Sequence, residues 1–320
     1  MEKRYWHGLD RETNPIGFGC WQIAGSHSIG NLPNGWGEVN SKEALNILVA
    51  AINSGIDFFD TAQSYNNGKS EELLGAAIKQ TKKNVVVCTK IVLTDDEINK
   101  HRLEYDFAER VEKSLSRLNL ERIDILLIHN APDNVNWKEF DITELNDLQR
   151  KGKIGTFGIS ARGLNGAKNA LEAKFGTVLE WVFNVFERRP ANILFPLIEQ
   201  NNFNFIARSP LSRGLINPKY LIDFPAFKDD DFRSTLPKDW VEWTINSLKK
   251  IHANGIEPDD MVKQSILYCV QYKAVTSAII GVRTMKQLED ILRMNCIDDK
   301  NEFLKRNIFH GIEECFPKWT

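Results

Sequence analysis

The chain alternates between short apolar runs and longer amphipathic stretches through most of its length. Eight such apolar runs occur, and most of them are too continuously apolar for strands with one solvated face, which is typical of a parallel sheet covered on both faces. These predicted strands are residues 16–23, 57–62, 84–90, 123–130, 156–161, 180–186, 203–209 and 277–282.

Helical periodicity fills the intervals between these runs. The first helical stretch begins at Ser41, a good N-cap residue, and ends at Gly55, a residue suited to a left-handed C-cap. Other helical stretches are KSEELLGAAIKQ, YDFAERVEKSLSRLN, TELNDLQRKG, LNGAKNALEA, NILFPLIEQNN and TMKQLEDILRMN. Eight β/α units in one chain predict an α/β fold, a closed (β/α)8 TIM barrel, as a single domain over residues 1–320.

Two segments depart from this alternation. Residues 215–239 are polar and punctuated by prolines, so we expect a long loop after strand seven. Long loops in compact domains are usually lids or binding loops. Residues 301–320 follow the last predicted helix, and we expect this tail to cap the barrel or to line its pocket.

Charge and cysteine content narrow the function classes. A net charge of −2 gives no electrostatic reason to bind nucleic acid or an anionic membrane. The apolar runs are too short to cross a bilayer, and the N-terminus MEKRYWHGLD has no apolar secretion signal. Five cysteines without CxxC pairing predict reduced thiols in a cytoplasmic protein, and neither a disulfide framework nor a metal site is expected.

Ionisable side chains occur at the ends of three consecutive predicted strands, where the chemistry of a TIM barrel is located. Asp60 ends strand two and Tyr65 follows it, Lys90 ends strand three, and His129 ends strand four. Each has an ordinary structural explanation alone, such as a turn cap, a solvated lysine or a core histidine. Four such residues at successive strand ends favour a functional site.

These side-chain types suit proton transfer to a carbonyl oxygen. A tyrosine is a reluctant acid because its unperturbed pKa is about 10. A neighbouring ammonium favours the phenolate, so Lys90 should lower the pKa of Tyr65, with Asp60 holding the lysine. His129 can orient a carbonyl by hydrogen bonding.

Several segments resemble the aldo-keto reductase family, in order and spacing, over nearly the whole chain. They are GFGCWQIAG, DTAQSY, GKSEELLG, CTK, LLIHN, ARSPLSRGLI, FKDDDFR and IIGVRTMKQLEDIL, and the ARSPL and DDDFR types resemble a bacterial subgroup. The resemblance implies that Asp60, Tyr65, Lys90 and His129 form the family's catalytic tetrad. It also implies that Tyr65 donates a proton during NADPH-dependent reduction of an aldehyde or ketone.

The resemblance places the nicotinamide cofactor mainly on the loops after strands seven and eight. The implied cofactor-binding residues are Trp21, Ser160, Glu180, Arg208, Ser209, Pro210, Leu211, Ser212, Arg213, Gly214, Gly281, Arg283, Gln287 and Asp290. Arg283 can pair with a 2′-phosphate, which favours NADPH over NAD(H). Three residues depart from the family pattern: Ala161 follows Ser160 in place of an asparagine, Glu180 replaces a glutamine, and Arg208 replaces an aromatic residue.

The expected substrate site contains Trp21, Trp36 and Asn130, with the loop over residues 25–36. Aromatic rings beside amides and hydroxyls suit a small polar carbonyl compound, such as a sugar-derived one. Two alternatives stay open: a lyase using Lys90 as a Schiff base, and a cofactor-binding regulatory protein. The resemblance favours a monomer.

Overall fold

Eight parallel strands close into a barrel in chain order, with the last strand pairing with the first. The computed structural model describes residues 1–93, 106–294 and 308–319. The barrel strands are β3 (Ile16–Gly19), β6 (Phe58–Asp60), β7 (Val86–Val92), β8 (Ile123–Ala131), β9 (Ile154–Ala161), β10 (Val178–Val182), β11 (Asn204–Arg208) and β12 (Val275–Gly281). Two hairpins lie outside the barrel, β1 (Arg4–Trp6) with β2 (Arg11–Thr13), and β4 (Ser28–Ile29) with β5 (Leu32–Pro33). The predicted (β/α)8 barrel is confirmed.

Helices alternate with the strands around the barrel. They are α1 (Ser41–Asn53), α2 (Lys69–Thr81), α3 (Phe107–Leu118), α4 (Thr143–Arg150), α5 (Leu164–Glu172), α6 (Arg189–Ile193), α7 (Phe195–Asn201), α8 (Lys238–Ala253), α9 (Met261–Val270) and α10 (Met285–Met294). The predicted N-cap of α1 is wrong by one residue, because the Asn40 side chain accepts the amide hydrogens of Lys42 and Glu43. Gly55 has a φ of +94°, as expected of a glycine just beyond a helix end.

Some predicted boundaries differ from the structure. Strand β10 begins and ends earlier than the predicted 180–186, because the chain turns at Asn184, whose backbone pairs with that of Glu187. The amphipathic helices α8 and α9 and the hairpin of β1 and β2 were not predicted. Tyr105 and Asn295, at the ends of two predicted helices, and residues 301–307 of the tail lie outside the described residues.

The core has two apolar layers, one inside the barrel and one between the strands and the helices. Trp6, from β1, packs on Phe58 at the N-terminal end of the barrel, with ring centroids 4.8 Å apart. Its indole nitrogen donates a hydrogen bond to Thr13 Oγ1 at 2.8 Å. An apolar plug therefore fills one end of the barrel and leaves the opposite rim for polar groups.

The described cysteines, Cys20, Cys88, Cys269 and Cys315, are buried and free, and Cys296 lies outside the described residues. Within the described ranges, no helix is both long enough and apolar enough to cross a membrane.

Packing between β9 and β10 gives a stability prediction. A Cβ atom on Gly158 would lie 1.8 Å from the carbonyl oxygen of Val178 on the paired strand, which is backbone and cannot rotate away. We expect Gly158→Ala to lower the free energy of unfolding by about 3 kcal/mol or more, or to prevent folding. The control is Gly152→Ala in an open turn at φ +72°, where left-handed strain alone should cost about 1–2 kcal/mol. Equal losses in urea unfolding would contradict this account.

Candidate active site

A buried lysine lies at the centre of the polar rim. Lys90 Nζ donates hydrogen bonds to Asp60 Oδ1 at 2.5 Å and to the carbonyl oxygen of Thr61 at 3.0 Å. The lysine side chain is 0% exposed and that of Asp60 2% exposed. A charge this deeply buried requires a partner, and the pairing of β6 with β7 supplies it. Burial lowers the pKa of Lys90, but nearby carboxylates outweigh this effect and raise the pKa well above its usual value.

The tyrosine next to this pair reaches the barrel mouth. Tyr65 Oη lies 3.4 Å from Lys90 Nζ, and its ring is only partly covered. Burial raises the pKa of Tyr65, and the charges of Asp60 and Glu180 raise it further, while Lys90 lowers it. The lysine thus acts in the predicted direction, but the net pKa of Tyr65 lies above its usual value and not below it.

His129 lies against the same tyrosine. The two rings meet edge to face with centroids 5.7 Å apart, and His129 Nδ1 shares a hydrogen bond with Ser64 Oγ at 3.1 Å. Burial, together with the positive charges of Lys90 and Arg208, lowers the pKa of His129 well below its usual value. The imidazole is therefore neutral at neutral pH, and a neutral imidazole has one N–H to donate.

On the far side of the lysine, β9 and β10 contribute a buried serine and glutamate. Ser160 Oγ donates to Glu180 Oε1 at 3.0 Å, and Glu180 Oε2 lies 3.4 Å from Lys90 Nζ. That oxygen is within ion-pair range but makes no hydrogen bond. Arg208, at the end of β11, reaches across the mouth and donates from Nη2 to the carbonyl oxygen of Ala161 at 3.3 Å.

Four buried polar atoms at the mouth lack hydrogen-bond partners within the described chain. They are Glu180 Oε2, Arg208 Nε, Trp21 Nε1 and Trp36 Nε1. Buried polar atoms are nearly always paired, so an unpaired set at one rim indicates a ligand with its own donors and acceptors. The amide-bearing ring of a nicotinamide cofactor fits this requirement.

An aromatic wall closes one side of the mouth. Trp21 stacks on Tyr65 with ring centroids 5.9 Å apart, and Phe232 of the long loop packs on Trp21 at 4.5 Å and on Trp36 at 4.9 Å. The amide of Phe232 donates to the carbonyl oxygen of Gly35 at 2.8 Å, which joins the two loops. Asn130, in contrast, is exposed in a left-handed conformation where β8 shifts register.

The loop after β11 is compact and includes left-handed residues. Ser209, Ser212, Arg213 and Gly214 have positive φ angles, and Asn184 Nδ2 donates to the carbonyl oxygen of Ser209 at 2.9 Å. The amides of Ser212 and Gly214 bond to Ser209 and Leu211 within the loop. Pro210 is buried. These two amides are therefore already used, which leaves the hydroxyls, the Arg213 guanidinium and the other amides of the loop for an anion.

The segment after β12 reaches the same rim. A Cβ on Gly281 would lie 1.9 Å from the Gln22 side chain, so glycine permits this close approach. Arg283 Nη2 donates to the carbonyl oxygen of Glu38 at 3.2 Å, and its backbone amide donates to Gln287 Oε1 at 2.8 Å. Asp290 pairs with Lys286 at 3.3 Å, so Gln287 and Asp290 both bond within their own segment.

Four supporting residues were not predicted: Gln22, Ser64, Asn184 and Phe232. Each contacts a predicted site residue. The contact depends on the path of a loop, which a local sequence pattern does not predict. Ser64 and Gln22 adjoin Tyr65 and Trp21 in sequence, which was the available signal.

One group of potential metal ligands occurs among the described residues. One carboxylate oxygen each from Asp60 and Glu180 and the sulfur of Cys88 lie within 4.8 Å of one another. Lys90 already supplies positive charge to both carboxylates, so we assign no metal ion to them.

Comparison with known proteins identifies the family. A model of the Aldo/keto reductase family matches residues 15–303. The oxidoreductase YqkF of Bacillus subtilis (strain 168) is 28% identical over 298 residues, covering 91% of this chain and 90% of YqkF.

Solved structures agree on the fold. The glycerol dehydrogenase AKR11B4 from Gluconobacter oxydans is 24% identical, with a TM-score of 0.76 over 98% of this chain and 96% of that one. An aldo-keto reductase from Klebsiella pneumoniae in complex with NADPH is 18% identical, with a TM-score of 0.69 over 100% and 98%. The chain therefore belongs to the aldo-keto reductase family and is an NAD(P)H-dependent oxidoreductase.

Proposed function

We propose that this protein reduces an aldehyde or ketone to an alcohol with NADPH, and that Tyr65 donates the proton. One observation carries the proposal: Lys90 is held by Asp60 and lies 3.4 Å from the Tyr65 hydroxyl at the barrel mouth. This arrangement places a proton donor, and a cation able to stabilise its phenolate, at the rim opposite the apolar plug.

Each side chain has a role in this reaction. Reduced nicotinamide, when bound, supplies the hydride for the carbonyl carbon. Tyr65 Oη gives its proton to the carbonyl oxygen, and Lys90 stabilises the phenolate that remains. Asp60 holds the lysine charged and in place. Neutral His129 donates a hydrogen bond that orients the carbonyl.

The unpaired atoms of Glu180 and Arg208, with Ser160, would hold the nicotinamide end of the cofactor. Residues 209–214 would contact its phosphates, and Arg283 would pair with the 2′-phosphate. The NADPH complex of the Klebsiella pneumoniae relative supports this choice over NAD(H). We propose only peripheral contacts for Gln287 and Asp290, since both bond within their own segment.

A small polar carbonyl compound is the proposed substrate. Trp21, Trp36 and Phe232 form an apolar wall beside Tyr65, and Asn130 offers an exposed amide on the other side of the mouth. The related Gluconobacter oxydans protein is a glycerol dehydrogenase, which supports a polyhydroxylated, sugar-derived carbonyl compound.

The lyase alternative is disfavoured by the state of Lys90. Burial lowers its pKa, but the two carboxylates outweigh burial and raise it well above the usual value. An ammonium that keeps its proton cannot attack a carbonyl to form a Schiff base.

We also propose a single-domain, cytoplasmic monomer. Arg188 Nη2 donates to the carbonyl oxygen of Ile312 at 3.0 Å, and Lys250 Nζ to that of Gly311 at 2.7 Å, which ties the described tail to the barrel. The free thiols of the described cysteines support a reducing compartment.

The first test is a fluorescence titration with NADPH and NADH, followed by a screen of aldehydes, ketones and sugars for NADPH oxidation. Saturable NADPH binding with turnover of a carbonyl compound is the expected result. Binding without turnover of any carbonyl would instead support the regulatory alternative.

Removing the proposed proton donor tests its role. We expect Tyr65→Phe to lower kcat for carbonyl reduction about 10²–10⁴-fold, the usual contribution of a general acid. NADPH affinity should change little. Tyr5→Phe, at an exposed tyrosine, is the matched control. A Tyr65→Phe variant with wild-type kcat would show that another group donates the proton.

The cofactor preference can be tested at Arg283. We expect Arg283→Ala to weaken NADPH binding roughly 10–100-fold, as for loss of one hydrogen bond to a charged group. NADH binding should be almost unaffected, because NADH lacks the 2′-phosphate. Arg293→Ala on α10, with its exposed side chain, is the control. Equal weakening of both cofactors would remove Arg283 from the 2′-phosphate site.

The charge state of His129 gives a pH prediction. Its folded pKa is depressed, so its contribution to stability is present above the unfolded value of about 6.5 and is lost as pH falls through the folded value. At about pH 6.5, the imidazole of His129 is half protonated in the unfolded chain. In the folded protein, the NMR signals of the His129 ring should still be those of a neutral imidazole at this pH. Titration at the unfolded value would contradict a neutral hydrogen-bond donor.

A further inference from the structure

Two carboxylates share a single ammonium inside the barrel. Lys90 Nζ is 2.5 Å from Asp60 Oδ1 and 3.4 Å from Glu180 Oε2, and none of the three side chains is more than 2% exposed. An oxygen of Asp60 and an oxygen of Glu180 lie within 4.8 Å of each other. The three groups therefore form one unit, the Lys90 triad of Asp60, Lys90 and Glu180.

The formal charges of this triad do not balance. With both carboxylates ionised, the triad has a net charge of −1 in a region without solvent, which is costly. Two carboxylates at one site cannot both ionise easily, because each opposes the negative charge of the other.

Apart from Arg208, the groups around the triad carry no charge that offsets the negative excess. Burial raises the pKa values of the Cys20 and Cys88 thiols and of the Tyr65 phenol, so these groups are uncharged, and His129 is neutral. Arg208, on β11, is the remaining cation facing the triad. It keeps its positive charge, but among the described residues it forms no ion pair with Asp60 or Glu180, and its guanidinium donates to the carbonyl oxygen of Ala161. In the described part of the chain, Glu180 forms an ion pair with Lys90 alone.

The hydrogen bonds of Glu180 indicate where a proton would be held. Its Oε1 accepts from Ser160 Oγ at 3.0 Å, while its buried Oε2 has no hydrogen-bond partner. The unpaired Oε2 is therefore available to carry a proton, which would remove the repulsion between the two carboxylate charges.

We propose that Asp60 and Glu180 share one proton beside Lys90 at neutral pH, so that the triad is uncharged overall. The proton belongs to the pair and not to either residue alone. In agreement, burial, followed by the charge of Glu180, raises the pKa of Asp60 to about 8.

The shared proton also affects Tyr65, and this part rests on the proposed function. The charges of Asp60 and Glu180 both raise the pKa of the phenol. Loss of the shared proton at alkaline pH adds one negative charge next to Tyr65 and makes it a weaker acid. Glu180 is thus a positioning residue whose charge contributes to the electrostatic field around the proton donor.

The direct test is infrared difference spectroscopy of the full-length protein, without cofactor or substrate, titrated from neutral to alkaline pH. The wild-type protein should lose a carboxylic-acid C=O band near the raised pKa of about 8. Glu180→Gln and Asp60→Asn should each abolish that same band, because either change leaves one carboxylate paired with Lys90. If Asp60 and Glu180 each held a proton of their own, the spectrum would show two carboxylic-acid bands. Asp60→Asn would then remove one of them and Glu180→Gln the other, which would contradict a shared proton.

Glu187→Gln is the matched control. Glu187 is also buried, but Arg189 pairs with it at 2.6 Å, away from the triad. Its replacement should leave the band unchanged. Partial burial also raises the pKa values of Asp57 and Asp124, but these residues contribute signals common to every variant. The differences between variants therefore isolate the triad.

A proton count keeps the test decisive if Asp60→Asn fails to fold. Potentiometric titration should show Glu180→Gln releasing one proton fewer than wild type over the alkaline range, and Glu187→Gln releasing the same number as wild type. An unchanged count or band in Glu180→Gln would overturn the shared proton. Because neither measurement requires turnover, absence of carbonyl reduction with the band present would contradict the proposed function alone.

Discussion

The ion pair between Lys90 and Asp60 is the constraint around which the rim is organised. An ammonium with no exposure needs its counter-ion at hydrogen-bond distance, and the pairing of β6 with β7 fixes the two side chains 2.5 Å apart. The same ammonium then lies near the Tyr65 hydroxyl, because the turn after Asp60 folds back over it. The contact between Lys90 and Asp60 therefore does two things: it pairs a buried charge, and it holds the ammonium next to the proposed proton donor.

The barrel separates the region that stabilises the fold from the region that can react. Trp6 and Phe58 fill the N-terminal end with apolar rings, while the opposite rim collects charged groups from four strands. Phe232, which joins the long loop to the loop over residues 25–36, packs on Trp21, and Trp21 covers one side of the Tyr65 ring. Electrostatic interactions at the rim are stronger where water is excluded.

Two residues that depart from the family pattern bring additional charges to the rim. Glu180 adds a second carboxylate beside Lys90, and Arg208 adds a guanidinium that spans the mouth. Burial raises the pKa of Tyr65 above its usual value although Lys90 is close to it, and the charge of Glu180, with that of Asp60, raises it further. A shared proton in the Lys90 triad compensates for the added carboxylate.

The sequence by itself determined the eight-stranded barrel, because strand and helix periodicities are local and repeat along the chain. It also indicated Asp60, Lys90 and His129 near the ends of their strands, since parallel strands bring those ends to one rim. The tertiary structure alone decided that Glu180 approaches Lys90, that Phe232 packs on Trp21, and that Ser64 contacts His129. These contacts depend on the directions that side chains and loops take in space. The net charge around Lys90 and the burial of the rim residues follow from those contacts, so no local sequence pattern predicts them.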